Sequence, residues 1–149
     1  MHVRPVLGEP TLLLAFEGWN DACESASTAT RFVNDTLRTV PLAEIDPDDY
    51  YDFTVCRPQV EYRGGIAGPI NWPTNEFRYG VTEDGREVIV GLGIEPHMRW
   101  RSYCDSIIEL AVDMGVQRCL LMGAYLADVV YSQPVVITGF SSQAHLLER

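Results

Sequence analysis

The feature that most constrains the fold is a short, unbroken apolar segment at residues 11–16, followed at once by a polar turn. A run of that length without polar alternation is typical of a β-strand covered on both faces. After the turn, small or apolar residues recur every three or four positions through residues 21–38, which predicts an amphipathic helix. A strand buried on both faces requires packed layers on either side, so this order predicts an α/β fold.

The same alternation of strand and helix continues along the chain. A hairpin signal at residues 83–85 precedes a core strand, and Gly115 is placed to end a helix. Pro41 cannot donate a hydrogen bond to a central ladder, so its strand is expected at a sheet edge. The further predicted elements are a strand at 39–45, core strands at 86–94 and 117–124, and a helix at 100–114. Together they predict a mostly parallel sheet flanked by helices.

The last part of the chain has two interpretations. Residues 133–139 predict a buried strand, and residues 141–149 then begin an amphipathic pattern that stops without a cap. Either a short terminal helix docks on the domain, or a larger domain is interrupted here. We expect residues 1–149 to form a single α/β domain that is the N-terminal part of a longer domain, truncated at its C-terminus.

The charge of the chain argues against several functions. All 11 basic residues are Arg, and with 21 acidic residues the formal net charge is −10. Such a surface repels phosphate backbones and anionic lipid, so we expect neither nucleic-acid nor membrane partners. The absence of Lys excludes a Schiff-base lysine and a phosphate-loop lysine. No apolar run is long enough to span a bilayer and no signal-peptide pattern is present, so we expect a cytoplasmic protein.

The four cysteines are widely separated along the chain, at Cys23, Cys56, Cys104 and Cys119. No two of them have the close spacing of a zinc-ligand pair or of a redox motif. In a reducing compartment such cysteines are thiols that pack as small apolar side chains. We therefore expect no metal site and no cofactor.

Polar sequences follow three of the predicted strands, and they supply the candidate functional residues. The carboxyl ends of parallel strands line one edge of a sheet, and ligands bind in the crevice there. Carboxylates, an imidazole and a guanidinium in one crevice could perform acid–base chemistry on a small polar substrate. The candidate crevice-lining or ligand-binding residues are Glu17, Trp19, Asn20, Asp21, Glu95, His97, Arg99 and Asp128.

Each of these residues also has a purely structural interpretation. Asn20 and Asp21 are residue types that cap a helix N-terminus. Glu17 could bind backbone N–H groups of its turn or form an ion pair with Arg99. His97 could be a hydrogen-bonded structural histidine rather than a catalytic one. The tryptophans beside these turns are more typical of core or interface anchors than of ligand-stacking residues.

A resemblance to a known family extends over nearly the whole chain. Five segments occur in the order found in the bacterial branch of the proteasome assembly chaperone 2 family, in its actinobacterial form, and the chain resembles that family through them. The segments are Phe16-Glu17-Gly18-Trp19-Asn20-Asp21-Ala22, Asp49-Tyr50-Tyr51-Asp52-Phe53 with Arg57-Pro58, Ile70-Asn71-Trp72-Pro73, Gly93-Ile94-Glu95-Pro96-His97-Met98-Arg99-Trp100-Arg101 and Gly123-Ala124-Tyr125-Leu126-Ala127-Asp128-Val129.

The resemblance implies a fold similar to the purine nucleoside phosphorylase class and assembly as a homo-oligomer. It implies no established enzyme activity, since the eukaryotic relatives are assembly chaperones that bind proteasome subunits. We therefore expect a non-enzymatic, chaperone-like protein-interaction module whose protein partners are proteasome-related. The alternative is a small-molecule enzyme or ligand-binding protein, similar to a nucleoside phosphorylase, a hydrolase or a ligase, that uses the crevice at the strand ends.

Overall fold

The computed structural model describes residues 7–147, so predicted features at residues 1–6 and 148–149 lie outside the described part of the chain. The apolar segment at residues 11–16 is a strand, as predicted, and it lies inside the main sheet. The helices and strands are β1 (Thr11–Glu17), α1 (Ser25–Leu37), β2 (Val40–Ile45), β3 (Gln59–Arg63), β4 (Ile66–Asn71), β5 (Asn75–Val81), β6 (Glu87–Ile94), α2 (Trp100–Asp113) and β7 (Arg118–Met122).

The main sheet has five strands in the order β2-β5-β6-β1-β7. Strand β1 is parallel to both β6 and β7, whereas β5 is antiparallel to both β2 and β6. The sheet is therefore mixed, and the prediction of a mostly parallel sheet is wrong. The reason is the tight turn between β5 and β6, where Thr82 N–H donates to the Arg86 carbonyl at 2.9 Å. Strands joined by so short a hairpin must run antiparallel.

One face of the sheet packs against α2 and holds the main apolar core. Leu12 of β1 and Ile89 of β6 are fully buried there, and Tyr103 and Ile107 of α2 pack against them. The apolar stripe of α2 has the helical spacing that the sequence predicts, and the helix ends beside Gly115 at φ 70°. Burying each large apolar side chain contributes about 1.5–3 kcal/mol, so this face carries much of the stability.

The other face packs against α1 through small residues. Ala26, Ser27 and Thr30 of the helix are buried, and Ala15 of β1 is fully buried beneath it. The Thr30 hydroxyl donates to the Ala26 carbonyl at 2.9 Å, which satisfies a polar group that would otherwise be buried without a partner. The small stripe predicted for this helix lets it lie close to the sheet.

The region between β2 and β5 is irregular, as expected from its sequence. An acidic segment after β2 forms a single 3-10 turn, Pro47–Asp49, and the Asp46 carboxylate accepts the Asp48 N–H. Strands β3 and β4 pair only with each other, forming a separate two-stranded sheet that is largely exposed. Strand β2 is an edge strand, as the position of Pro41 predicts.

The chain after β7 differs most from expectation. The predicted core strand at 117–124 forms as β7, but at the sheet edge, with Leu121 62% exposed. The predicted buried strand at 133–139 is wrong, because residues 134–140 form no regular structure and Ile137 is 93% exposed. The expected helix at 141–149 is only a 3-10 turn, Ala144–Leu146, within the described residues. Within residues 7–147, no strand pairs with the outer edge of β7. That edge and residues 135–137 are therefore both exposed.

Candidate functional site

The turn after β1 is fixed to the end of β6. The Glu95 carboxylate accepts the backbone N–H groups of Trp19 at 3.3 Å and Asn20 at 3.2 Å, while Glu95 N–H donates to the Glu17 carbonyl at 2.9 Å. Gly18 lies in this turn at φ 141°, and a Cβ there would lie 3.0 Å from the Glu95 carboxylate. Only glycine fits that close approach without strain. The result is a fixed backbone that carries the Trp19 side chain, which is 90% exposed.

Asp21 caps α1, although the helix begins later than the sequence predicts. Its carboxylate accepts the N–H groups of Ala26 at 2.7 Å and Ser27 at 3.2 Å. The helix was expected from residue 21 but starts at Ser25, because a 3-10 turn with Cys23 at φ 53° comes first. Burial disfavours the charged form of Asp21, yet the hydrogen bonds from Ser27 and Ala26 outweigh it and lower the pKa of this carboxyl.

His97 and its neighbours form a structural contact at the end of β6. Its Nδ1 accepts the Asp52 N–H at 3.1 Å, and its ring meets the Tyr51 ring edge-on with centroids 5.8 Å apart. The Tyr51 hydroxyl donates to the Ile94 carbonyl at 2.7 Å. Burial raises the pKa of Tyr51 despite these hydrogen bonds. These contacts agree with the interpretation of His97 as a hydrogen-bonded structural histidine.

Asn75 fills the space beneath these aromatic residues. It is 2% exposed, and its Oδ1 accepts the Tyr103 hydroxyl at 2.8 Å and the Ile94 N–H at 3.0 Å, while its Nδ2 donates to the Tyr51 hydroxyl. A Cβ at Gly93 would lie 1.7 Å from that Oδ1. Burial also raises the pKa of Tyr103. This network holds the carboxyl end of β6 in place.

The remaining charged candidates form ion pairs or lie apart. Glu17 pairs with Arg31 of α1, not with Arg99 as the sequence suggested. Arg99 pairs instead with Asp49 of the acidic turn. Asp128 is exposed in the stretch after β7, and no hydrogen bond or ion pair joins it to the other seven candidates within residues 7–147.

The three turns do meet, as the strand-end rule predicts, but they do not form one crevice. Ala124 N–H donates to the Asn20 carbonyl at 2.9 Å, which joins the segment after β7 to the turn after β1. Glu17, however, lines a cavity of about 320 Å³ on the α1 side, with Arg31 and Arg78. Asn20 and Glu95 line a different cavity on the α2 side. Successive strand residues point to opposite faces, so the sheet itself divides the candidates.

The second cavity is an apolar groove of about 440 Å³, which we call the α2–β7 groove. Sequence reasoning missed it, although a signal was present. Besides its core stripe, α2 carries a second apolar row at Cys104, Ile108 and Val112, spaced by four residues. Ile108 and Val112 are exposed at 58% and 73%. The groove is lined chiefly by Leu14, Phe16, Trp100, Cys104, Ile107, Ile108, Cys119 and Leu121.

Partial desolvation in the groove raises the pKa of the Cys119 thiol. The four cysteines are free thiols, but Cys23, Cys104 and Cys119 are exposed and only Cys56 is half-buried, so the expectation that they pack as small apolar side chains is wrong for three of them. In the described part of the chain, no group of three His, Cys, Asp or Glu side chains is placed to hold a metal ion. Neither helix between residues 7 and 147 is long and apolar enough to cross a bilayer.

Solved structures share this fold. A PAC2 family protein from Streptomyces avermitilis is 38% identical, with a TM-score of 0.85, and the match covers 93% of this chain and 60% of that chain. A proteasome-assembly chaperone homologue from Mycobacterium tuberculosis is 32% identical, with a TM-score of 0.87 and coverage of 93% and 59%. An archaeal proteasome activator from Pyrococcus furiosus shares the fold alone, at 17% identity, a TM-score of 0.65 and coverage of 89% and 52%.

These relatives define an α/β class of proteins, and the family model called PAC2 family matches residues 15–149. The chain therefore belongs to the PAC2 family, and the resemblance noted from its sequence segments is confirmed. It spans about 60% of the length of the Streptomyces and Mycobacterium relatives. No curated protein matches it.

Proposed function

We propose that the chain is a cytoplasmic protein-interaction module of the proteasome-assembly-chaperone type, which docks protein partners at the α2–β7 groove and Trp19. The observation that carries the proposal is an almost fully exposed tryptophan on a fixed turn whose next residue, Asn20, lines an apolar groove. One relative supports the choice of partner, since it is named as a proteasome-assembly chaperone homologue. We accordingly assign proteasome-related proteins as partners.

The physical argument rests on how tryptophan contributes to binding. Exposed aromatic residues of this kind supply most of the binding energy of many protein interfaces. The Trp19 backbone is already ordered by Glu95, so docking does not have to restrict that turn further. Trp100, 53% exposed, lines the groove and adds a second aromatic contact. A partner that offers apolar side chains at matching positions would bury both rings.

The small-molecule alternative remains a prediction, as does the likeness to the purine nucleoside phosphorylase class. Most of the polar groups that a catalytic crevice would use already have structural partners. Asp21 caps α1, Glu17 and Arg99 form ion pairs, and His97 accepts a backbone N–H. The protein-docking proposal needs none of these groups to be free.

The test is direct binding to purified proteasome α and β subunits of an actinobacterium, measured by interferometry. We expect W19A to weaken binding by about 30-fold, the effect of losing a hot-spot residue of about 2 kcal/mol. Phe32→Ala is the matched control, because Phe32 is an aromatic residue 70% exposed on α1, away from the groove. The proposal fails if the wild-type chain does not bind, or if the two variants weaken binding equally.

A further inference from the structure

The cavity on the α1 side combines an apolar floor with charged walls. Leu92 and Ile94 of β6 form its floor, and the charged side chains around them include Arg31 of α1 and Glu76 and Arg78 of β5. Every residue that lines it lies between positions 17 and 94, so the cavity is built entirely by the part of the chain that precedes β7. We propose that this cavity binds a free α-amino acid with an apolar side chain.

The register of the sheet brings the acidic side chains to the two sides of the floor. Leu92 pairs with Glu76 on β5 and with Ala15 on β1. Ile94 pairs with Glu17. Directly paired residues share a face of the sheet, and Ala15 is buried beneath α1, so both carboxylates lie on the α1 face. Strands β5 and β1 are roughly 10 Å apart, with the apolar residues of β6 between them.

Arg78 and Glu76 present opposite charges that no hydrogen bond joins. One edge of the Arg78 guanidinium is fixed, because Nε donates to the Thr39 hydroxyl at 3.0 Å and Nη2 donates to the Thr39 carbonyl at 2.8 Å. Its Nη1 lies 3.6 Å from Glu76 Oε2, which is beyond hydrogen-bond distance. Within residues 7–147, neither Nη1 nor the Glu76 carboxylate makes a hydrogen bond. A ligand with a carboxylate and an ammonium on one carbon would satisfy both groups.

Thr39 also orients a further donor in the cavity. Because its hydroxyl accepts from Arg78, its own proton is donated to Asn34 Oδ1, at 3.0 Å. The Asn34 Nδ2 group is therefore left as a donor in the same cavity as Arg78. Donors that are already fixed by the protein lose little freedom when a ligand binds. Arg78 and Asn34 together are suited to hold a carboxylate.

The balance of charge favours a ligand that carries both signs. Two arginines and two glutamates line the cavity, so it has no net charge in a chain of net charge −10. A phosphate or another multiply charged anion would be repelled by the carboxylates and by the field of the whole chain. A simple cation would be repelled by the guanidinium groups. Glu17 and Arg31 already pair with each other, which leaves Glu76 and Arg78 as the open pair.

The apolar part of the ligand has a surface on which to pack. Leu92 and Ile94 are half-buried in the floor, and Trp72 stands at the rim with half of its side chain exposed. The Trp72 ring packs edge-on against Phe53, with centroids 5.1 Å apart, so its position is supported. A cavity of about 320 Å³ falls within the range of small-molecule sites.

The first test is calorimetric titration of the chain with L-phenylalanine and with L-leucine. Each is compared with the analogues that lack one charged group: 3-phenylpropionate and 2-phenylethylamine, and 4-methylpentanoate and 3-methylbutylamine. We expect at least one amino acid to bind with a Kd below about 1 mM, and its two analogues to bind about tenfold or more weakly. Failure of both amino acids to bind would overturn the proposal. An analogue that binds as tightly as its amino acid would overturn it equally.

The second test assigns the ammonium to Glu76. Glu76→Gln keeps the shape of a half-exposed side chain that makes no hydrogen bond, so the fold should be unchanged. We expect E76Q to weaken binding of the amino acid about tenfold and to leave binding of the analogue without an ammonium unchanged. The matched control is Glu61→Gln on the exposed hairpin, because Glu61 also precedes an arginine by two residues but accepts a hydrogen bond from Arg63 at 3.1 Å.

The proposal fails if E76Q and E61Q weaken binding equally, or if E76Q weakens both ligands by the same factor. These outcomes are independent of the proposed binding of proteasome-related proteins, which uses the opposite face of the sheet.

Discussion

The two edge strands of the sheet are built differently. Strand β2 carries Pro41, which removes a donor, and its register with β5 is irregular between Pro41 and Ala43. It also carries Glu44, an exposed charge. Strand β7 has an unbroken register, no proline and no charge after Arg118. Natural sheets use the devices present in β2 to prevent unwanted pairing.

Under the proposed function, this difference separates the side of the molecule that docks a partner from the side that does not. We call β2, β5 and β6 the β2 side, and we call β7, the α2–β7 groove and residues 125–147 the β7 side. The edge of the β2 side is protected against further strand pairing, and its interior is tightly packed. The β7 side leaves apolar residues exposed on a strand, on a helix and on the chain that follows. Large exposed apolar surface in a folded domain marks interaction sites.

The largest effect is expected from a substitution in the filled interior of the β2 side. Gly93→Ala forces a Cβ to within 1.7 Å of the buried Asn75 Oδ1, which breaks the hydrogen bonds to Tyr103 and Ile94. We expect a loss of about 4 kcal/mol or more in the free energy of unfolding, from overpacking and unsatisfied polar groups. Gly139→Ala on the β7 side, with no atom within 4 Å, should change it by less than about 0.5 kcal/mol. Urea unfolding measures both, and similar values would contradict the comparison.

The next effect compares two leucines of similar size. Leu12, 1% exposed, lies in the core, and Leu121 is 62% exposed on the β7 side. Leu12→Ala should lower the free energy of unfolding by about 3 kcal/mol, because it removes buried apolar atoms and leaves a cavity. Leu121→Ala should lower it by less than about 1 kcal/mol, because most of its side chain is already exposed. Thermal unfolding at low concentration checks both, and an equal loss would show that Leu121 is already covered.

A third effect concerns the turn that joins the two sides. Asp21→Ala should lower the free energy of unfolding by about 1–2 kcal/mol, through loss of the hydrogen bonds to Ala26 and Ser27. Asp21→Asn keeps one acceptor and should cost less. Because the folded pKa lies below the ordinary value of 3.8, the charge of Asp21 stabilises the fold above about pH 4. That contribution is lost as the pH falls through the lower, folded-state value.

The measurement is urea unfolding of the wild-type chain and both variants between neutral pH and pH 3. The difference between wild type and Asp21→Asn should shrink as the solution becomes more acidic. A difference that grows toward low pH would mean that the folded pKa of Asp21 is raised, and would contradict the capping geometry.

The smallest effect on stability is expected at Trp19. Because its side chain is 90% exposed, Trp19→Ala should change the free energy of unfolding by less than about 0.5 kcal/mol. Its role would then appear in binding alone. A large loss of stability, measured by thermal unfolding, would show instead that the ring packs against the domain.

Much of the fold could be predicted from local sequence patterns. The apolar run of β1 indicates a strand buried on both faces. The 3.6-residue period of α2 indicates a helix buried along one face. The direction of β5 was missed, although the hairpin turn at residues 83–85 implied that β5 and β6 are antiparallel. The late start of α1 could not be predicted, since Asp21 has the same capping preference whether the helix begins one or four residues later.

The candidate site was predictable in part. The meeting of the turns after β1, β6 and β7 follows from parallel strands. The separation of Glu17 from Glu95 depends on which face each residue takes, which the strand register determines. The strand expected at 133–139 was wrong for a different reason. Its residues favour a strand, but propensity does not supply the neighbour with which a strand must pair.

The central claim is that the β7 side is the contact surface and the β2 side is not. Leu121→Asp and Val40→Asp place the same charge on the two edge strands, at residues 62% and 52% exposed. Interferometry against the purified proteasome subunits should give wild-type affinity for V40D and about tenfold or more weaker binding for L121D. Weaker binding of V40D with wild-type affinity kept in L121D, or an equal loss in both, would contradict the claim.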